Sequence, residues 1–157
     1  MKQDRFLLGI LIGIGVLILA ALIVFFSRQN HQTYGPDDTP DGVVHNYILA
    51  VLNGNYQKAY GYLADLEYKP SYDTFRRSFA TGTVNPSDTG VTIGKTDVTG
   101  EDATVEVNTM NTQNDPFSSQ YNNTGSAALV KQNGGWKILS MTAYNLWDSN
   151  WYQGLPK

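Results

Sequence analysis

The chain of 157 residues contains no cysteine. Disulfides, thiol nucleophiles, thiolate metal sites and a lipid anchor on cysteine are therefore excluded. Histidine is also scarce: His31 and His45 are the only two, and neither lies in an H-E-x-x-H pattern. Because a zinc site needs several ligands in fixed geometry, no metal site is expected. The chain also lacks a G-x-S-x-G elbow, a Walker A loop and a usable dinucleotide fingerprint, so no cofactor is expected.

Basic side chains are few beyond the first part of the chain. From Tyr34 onward there are eight Lys and Arg against thirteen Asp and Glu, a formal net charge of −5. A nucleic-acid surface requires clustered Lys and Arg, so nucleic acid is excluded as a partner. The same acidic balance argues against electrostatic docking of this part on anionic lipid.

One long apolar run, FLLGILIGIGVLILAALIVFF, occupies residues 6–26. Its 21 residues, at about 1.5 Å rise each, cover the roughly 30 Å hydrocarbon core of a bilayer. A cleaved signal peptide has a shorter apolar region and a small-x-small cleavage site, whereas this run ends in VFFSR. We therefore expect an uncleaved signal-anchor helix, with the lipid bilayer as a partner through residues 6–26.

The flanking charges predict the orientation of this helix. Lys2 and Arg5 precede it, and Arg28 alone follows at once. Since Lys and Arg accumulate on the cytoplasmic side, residues 1–5 are expected in the cytoplasm. The protein is then a single-pass protein of the cell membrane, and the rest of the chain lies outside the cytoplasm.

Two glycines of the apolar run, Gly9 and Gly13, have the G-x-x-x-G spacing. This spacing lets two membrane helices approach closely and would favour a homodimer. Glycine is also common in membrane helices, so the spacing arises without dimerisation as well.

The remaining chain divides into a polar segment and a domain. Residues 27–39, SRQNHQTYGPDDT, have no apolar period and are expected to form a flexible linker, followed by a domain over residues 40–157. Thr39 followed by proline is typical of a helix start. Apolar side chains at helical spacing predict a second short helix from about Asn55 and a third from about Ser71.

Beyond these helices the apolar period changes from helical to alternating. Alternation predicts four strands, with a bulge at Gly94 in the first and a loop before the third. The expected strands cover about residues 91–98, 103–111, 120–132 and 136–145, and the expected loop covers residues 113–119. Helices followed by strands predict an α+β domain with its helices on one face of an antiparallel sheet.

Two segments, AVLNGNYQKAYGYL and ALVKQNGGWKILSM, carry a resemblance. They are similar to segments of the nuclear-transport-factor-2-like superfamily, and most of all to its bacterial cell-envelope members of unknown function. The resemblance rests mainly on Gly54–Tyr60 and Gly135–Ile138. It covers roughly Asp38 to Asn145. Both are signatures of fold and neither is catalytic. The chain departs from the lipoprotein members in lacking their cysteine.

The resemblance implies a cone-shaped α+β fold: a transmembrane helix, then three helices packed on a curved antiparallel sheet of about four strands. Some relatives are isomerases and dehydratases that use an inward carboxylate and tyrosine. Candidate ligand-pocket residues are Tyr47, Tyr60, Phe79, Trp136 and Tyr144. The alternative for each aromatic is an ordinary core residue, with any hydroxyl at the edge of the core.

Two acids on predicted strands, Asp97 and Glu106, are the candidates for catalysis. Glu106 lies opposite in phase to Val105 and Val107, which predicts that it faces solvent. No spacing of acids and tyrosines matches a known catalytic motif, and the fold alone does not establish an activity.

The last part of the chain concentrates aromatic and apolar side chains. The tail LWDSNWY is expected to fold back over the sheet or to contact a partner, because three aromatics rarely stay in water. Asn133-Gly134 predicts a type I′ hairpin with Lys131 opposite Trp136. The Trp136 face should meet the helices, and the other face should be covered by the tail or a second subunit. Candidate interface residues are Leu139, Met141, Trp147, Trp151 and Tyr152.

The function predicted from these features is a membrane-anchored, extracytoplasmic binding or interaction module without catalytic activity, in cell-envelope assembly or sensing. One alternative is an isomerase- or dehydratase-type enzyme. The other is a structural accessory domain that positions a membrane partner, as related domains do beside some cell-wall transpeptidases. Expected partners are a membrane or cell-wall protein, or a second copy of the chain.

Overall fold

A computed structural model describes residues 3–28, 33–87, 89–111 and 121–153. The chain forms two compact units, Met1–Thr33 and Tyr34–Lys157. His31 and the predicted loop over residues 113–119 lie outside the described residues.

The first unit contains the helix α1, Gln3–Arg28. Within it, Leu7–Val24 is long and apolar enough to cross a membrane, and none of this stretch is buried. Length and composition of this kind are typical of a membrane span and also of a signal sequence.

The second unit has the predicted order of three helices followed by four strands. The helices are α2 (Pro40–Leu52), α3 (Tyr56–Gly61) and α4 (Tyr72–Ala80). The strands are β1 (Thr89–Thr99), β2 (Asp102–Asn111), β3 (Tyr121–Gln132) and β4 (Gly135–Met141). They form one curved antiparallel sheet in the order β1-β2-β3-β4. The predicted α+β class is confirmed.

Polar caps set where the helices begin, as the sequence predicted. Thr39 Oγ1 accepts a hydrogen bond from the Gly42 amide at 3.2 Å, and Asn55 and Ser71 cap α3 and α4 in the same way. Gly54 ends α2 with a φ of +68°, a conformation that glycine adopts without strain. Local chemistry therefore fixes each helix start without help from the sheet.

Helix α2 is buried on nearly every side. It lies across the sheet, with contacts to β1, β2 and β4, and it also packs against α3. A helix apolar around most of its circumference belongs inside a domain, and α2 is that central element. The core side chains it supplies include Val43, Val44, Tyr47, Ile48 and Val51.

The sheet turns one face to the helices and the other to solvent. On β2, Ala103, Val105 and Val107 are buried, while the residues between them are exposed or half-buried. The β1–β2 register shifts between Ile93 and Thr96, which confirms the bulge predicted at Gly94.

The hairpin between β3 and β4 has the predicted turn but not the predicted register along its whole length. Asn133 and Gly134 have φ of 51° and 83°, and Lys131 pairs with Trp136. Beyond Leu129 the register shifts, so that Met141 pairs with Ala127.

This shift places Met141 on the helix-facing side, where it is 5% exposed, and not on the outer side with Leu139. The assignment of both residues to one outer face was wrong. An extra residue on β4 inverts the alternation, and a regular period of two cannot predict it. Leu139 itself is half-buried.

The linker ends earlier than the sequence suggested. Asn46, fully buried on α2, accepts a hydrogen bond from the Gly35 amide at 2.7 Å through Oδ1. Its Nδ2 donates to Gly35 O at 2.9 Å and to Asp37 Oδ1 at 2.6 Å, and Tyr62 donates to the same Asp37 oxygen. Residues from Tyr34 onward therefore belong to the domain. The buried side-chain amide of Asn46 holds this segment in place by satisfying both the N–H and the C=O of Gly35.

Asn46→Ala is expected to destabilise the domain by about 2 kcal/mol, because three hydrogen bonds are lost at a buried site. The measurement is urea unfolding of the full chain in detergent micelles, followed by tryptophan fluorescence. Asn53→Ala, at the exposed C-cap position of the same helix, serves as the control and should stay within about 0.5 kcal/mol of wild type. Equal stability of the two variants would contradict this role of Asn46.

Candidate functional site

The C-terminal tail, Leu146–Tyr152, is anchored to the helices. Leu146 is fully buried, and its carbonyl oxygen accepts a hydrogen bond from the Tyr47 hydroxyl at 2.9 Å. Five residues on, Trp151 is 4% exposed, and its ring centroid lies 4.7 Å from that of Phe75 on α4. The tail is therefore a structural element of the domain, linked to both α2 and α4.

A small polar network orients this tail. The Trp151 indole nitrogen donates to Ser78 Oγ at 3.2 Å, and Ser78 Oγ donates to Asp148 Oδ2 at 2.8 Å. The other Asp148 oxygen accepts from the backbone amide and the side-chain amide of Asn150, each at 2.9 Å. The buried polar atoms of Trp151 and Ser78 are satisfied, so the network stabilises one tail conformation.

Aromatic rings join the tail to the helix layer. Trp147 contacts Trp151 edge-on at 4.9 Å and lies 5.9 Å from Tyr47. Such offset and edge-on pairs are the favoured geometries for aromatic side chains. We call this group the tail cluster; its members are Tyr47, Phe75, Phe79, Trp147, Trp151 and Tyr152.

The expectation that the tail folds back is confirmed, but its position differs from the one predicted. It packs on the helices and not on the outer face of the sheet. The physical reason lies in α4, whose buried Phe75 and Ser78 both contact Trp151 of the tail.

The predicted ligand-pocket residues do not share one cavity. Tyr47 and Trp136 belong to the packed core, at 0% and 8% exposure. Tyr60 donates to Pro70 O at 2.8 Å, and Phe79 stacks on Tyr56. Tyr144 is 55% exposed.

The two candidate acids lie on the outer face of the sheet. Asp97 is exposed and pairs with Lys95 at 2.8 Å, and Glu106 accepts from Asn108 at 2.9 Å. With hydroxyl side chains of β2 and β3 they line a shallow polar groove of about 360 Å³. Among the described residues no carboxylate is buried in the core; the buried polar side chains there are Asn46, Ser78 and Thr109.

An open groove of about 340 Å³ lies between the tail and the loop that connects α3 to α4. We call it the tail groove. Its volume is at the lower end of the range for small-ligand sites, about 300–1,000 Å³. The lining residues are Tyr68, Lys69, Pro70, Ser71, Thr74, Asp148, Asn150, Trp151, Tyr152 and Gln153.

Both walls of the tail groove are fixed by hydrogen bonds. Tyr152 donates to Ala64 O at 2.6 Å, which ties the tail to the start of the opposite loop. Lys69 donates to Asp65 Oδ1 at 2.7 Å and to Leu63 O at 3.3 Å. Tyr68 makes no such bond among the described residues and is 58% exposed. The groove is therefore a preformed frame with one large exposed aromatic at its edge.

Sequence reasoning missed the groove residues Tyr68, Asp148 and Asn150, and also Ser78 behind them. Tyr68 lies in a loop whose apolar residues follow neither a helical nor an alternating spacing. Asp148 and Asn150 did carry a signal, since Asp-x-Asn is typical of a local turn closed by an aspartate side chain. No group of three or more His, Asp or Glu side chains that could hold a metal ion occurs in the described part of the chain.

No protein-family model matches the chain, and no curated protein matches it. Among solved structures, the SEC-C motif containing protein RPA3114 from Rhodopseudomonas palustris is similar over 69% of this chain and 81% of its own. The TM-score is 0.51 and the identity 12%. At this identity the likeness concerns the fold alone.

Two other solved structures are similar at lower scores. One is a design of the nuclear-transport-factor-2 type, with TM-score 0.46 and 12% identity over 66% of this chain and 95% of its own. The other is an uncharacterized cystatin fold protein from Novosphingobium aromaticivorans, with TM-score 0.42 and 10% identity over 68% and 100%.

Tail docking is expected to weaken at alkaline pH. Burial raises the pKa of Tyr152 and Tyr47 above the ordinary value of 10.0, and the negative charge of Asp65 raises the pKa of Tyr152 further. Each hydroxyl donates a tail hydrogen bond only while protonated. A raised folded-state pKa means that the stabilisation is complete below about pH 10 and is lost as pH rises from there toward the folded value.

The measurement is the tryptophan emission of the full chain in micelles between pH 8 and about 12. A red shift should begin above about pH 10, and it should depend less steeply on pH in Tyr152→Phe, which removes one titrating donor. Tyr144→Phe, outside the tail cluster, should behave as wild type does. A red shift that is complete below pH 9 in all three proteins would contradict this account.

Proposed function

We propose that this protein is a single-pass membrane protein that displays a binding or interaction domain outside the cytoplasm. In this proposal residues 6–26 anchor it in the bilayer, and the domain engages a partner of the cell envelope during assembly or sensing. The domain performs no catalysis. The tail groove is its binding site.

The apolar helix supports the membrane part of the proposal. Leu7–Val24 has the length and composition of a membrane span, and none of this stretch is buried. In water, so large an apolar surface would drive aggregation, whereas in a bilayer it is matched to its solvent. Lys2 and Arg5 support a cytoplasmic N-terminus.

The binding part of the proposal rests on the tail groove. Side chains such as Tyr47, Leu63 and Ile138 are buried in the core of the domain, whereas the tail groove is open to a ligand from outside. Binding sites combine apolar and aromatic walls with a few fixed polar groups. The groove has this combination, with Tyr68 and Trp151 beside Asp148 and Asn150.

The enzymatic alternative required an inward-facing carboxylate beside a tyrosine. Asp97 and Glu106, its two candidates, face away from the helices. A solvated carboxylate lacks the environment that tunes catalytic acids in this type of enzyme. The geometry of these two residues therefore favours the binding proposal.

The orientation can be tested with single cysteines, because the natural chain has none. Thr92→Cys, exposed on the domain, should react with a membrane-impermeant maleimide in bacterial spheroplasts. Gln3→Cys should react only after the membrane is dissolved. The reversed pattern would overturn the extracytoplasmic placement.

The binding site can be tested with a photoreactive amino acid, p-benzoylphenylalanine, placed at one tyrosine position at a time. Tyr68 and Tyr144 form a matched pair, because they are 58% and 55% exposed and only Tyr68 lines the tail groove. Irradiation of cells should give adducts from position 68 and few from position 144. Equal yields from both positions, or none from position 68, would contradict a binding role for the groove.

A further inference from the structure

The tail groove offers no free positive charge to a ligand. Its charged side chains are Lys69 and Asp148. Lys69 is paired with Asp65, and Asp148 accepts hydrogen bonds from the neutral groups of Ser78 and Asn150. An anionic ligand would lose hydration on entering the groove and would meet the negative charge of Asp148 without gaining a counter-charge, so the groove disfavours an anion.

The side-chain amides of Asn150 and Gln153 leave polar atoms for a ligand. The Asn150 side chain uses one N–H of its Nδ2 on Asp148, and the Gln153 side chain uses one N–H of its Nε2 on Ser149 O at 2.6 Å. The oxygens of both side-chain amides have no hydrogen-bond partner among the described residues. Each amide therefore keeps an acceptor oxygen and one N–H donor, which suits a hydroxyl group, because a hydroxyl both donates and accepts.

Aromatic faces form the rest of the groove. Tyr68 is exposed at one wall, and Trp151 and Tyr152 line the other. The ring of a neutral sugar has apolar C–H faces that pack on aromatic rings and hydroxyl groups at its rim that donate to acceptors. An extended peptide fits less well, because none of the residues that line the groove belongs to a β-strand whose edge could pair with a peptide backbone.

From these three features we propose that the tail groove binds a segment of a neutral glycan, with Tyr68 as the aromatic platform and Asn150 and Gln153 as hydroxyl acceptors. This inference rests on the proposed function, and it names the ligand class of that same site. The groove is short and open at its edge, so it takes a stretch of a longer chain and not an enclosed small molecule.

The test is an NMR titration of the full chain, in micelles whose detergent carries no sugar headgroup. The probes are neutral oligosaccharides of glucose, mannose and N-acetylglucosamine, with an oligogalacturonate as the anionic counterpart and a polyproline peptide as the protein-like one. At least one neutral oligosaccharide should bind saturably and shift the Trp151 indole signal. The oligogalacturonate and the peptide should not.

Two variants separate the groove from the rest of the surface. Tyr68→Ala should weaken the binding about tenfold or more, because one aromatic contact is lost at a site that does not hold up the fold. Tyr144→Ala should bind as wild type does. An unchanged affinity in Tyr68→Ala, or an equal loss in both variants, overturns the glycan assignment.

Failure here can be told apart from failure of the proposed function. If the photoreactive residue at position 68 forms adducts in cells while no neutral oligosaccharide binds, the glycan class is wrong and the binding site stands. If the peptide binds at the groove in place of the sugars, the ligand class is likewise wrong. If position 68 gives neither adducts nor oligosaccharide binding, both proposals fail.

Discussion

The structure of the domain depends on the docking of Trp151 against α4. The indole packs on Phe75 and Phe79, and its N–H is satisfied by Ser78, itself braced by Asp148. Loss of a buried tryptophan from a core typically costs about 3–5 kcal/mol. Domains of this size are stable by only about 5–15 kcal/mol, so one contact of this kind decides a large part of the stability. Without it, the outer side of α4 would expose its aromatic side chains to water.

The same contact creates the candidate site. The tail groove has one wall from the loop before α4 and the other from the tail, so it exists only while the tail is docked. Tyr152 links the two walls through Ala64. The residues that stabilise the docked tail therefore also frame the groove, and their hydrogen bonds and ring contacts hold it in one shape. Tyr68 stands apart, because it contributes an exposed ring to the site and little to the core.

Local features of the fold could be predicted from the sequence. Thr39, Asn55 and Ser71 cap helices by short-range hydrogen bonds, and Asn133-Gly134 sets the hairpin by its backbone conformation. Long-range features could not. The position of Met141 depends on a bulge, and the groove depends on which surface the tail covers. Neither feature produces a periodic pattern in the sequence, because each is decided by packing between segments far apart in the chain.

The most direct test of this account is the hydrogen exchange rate of the Trp151 indole N–H, measured by NMR on the unmodified full chain. If the tail is part of the core, this proton is buried and hydrogen-bonded to Ser78. It should then exchange as slowly as the amides of the central strand β3, through opening of the whole domain. Exchange at the rate of a free indole would show that the tail is undocked, and would contradict both the packing scheme and the groove built on it.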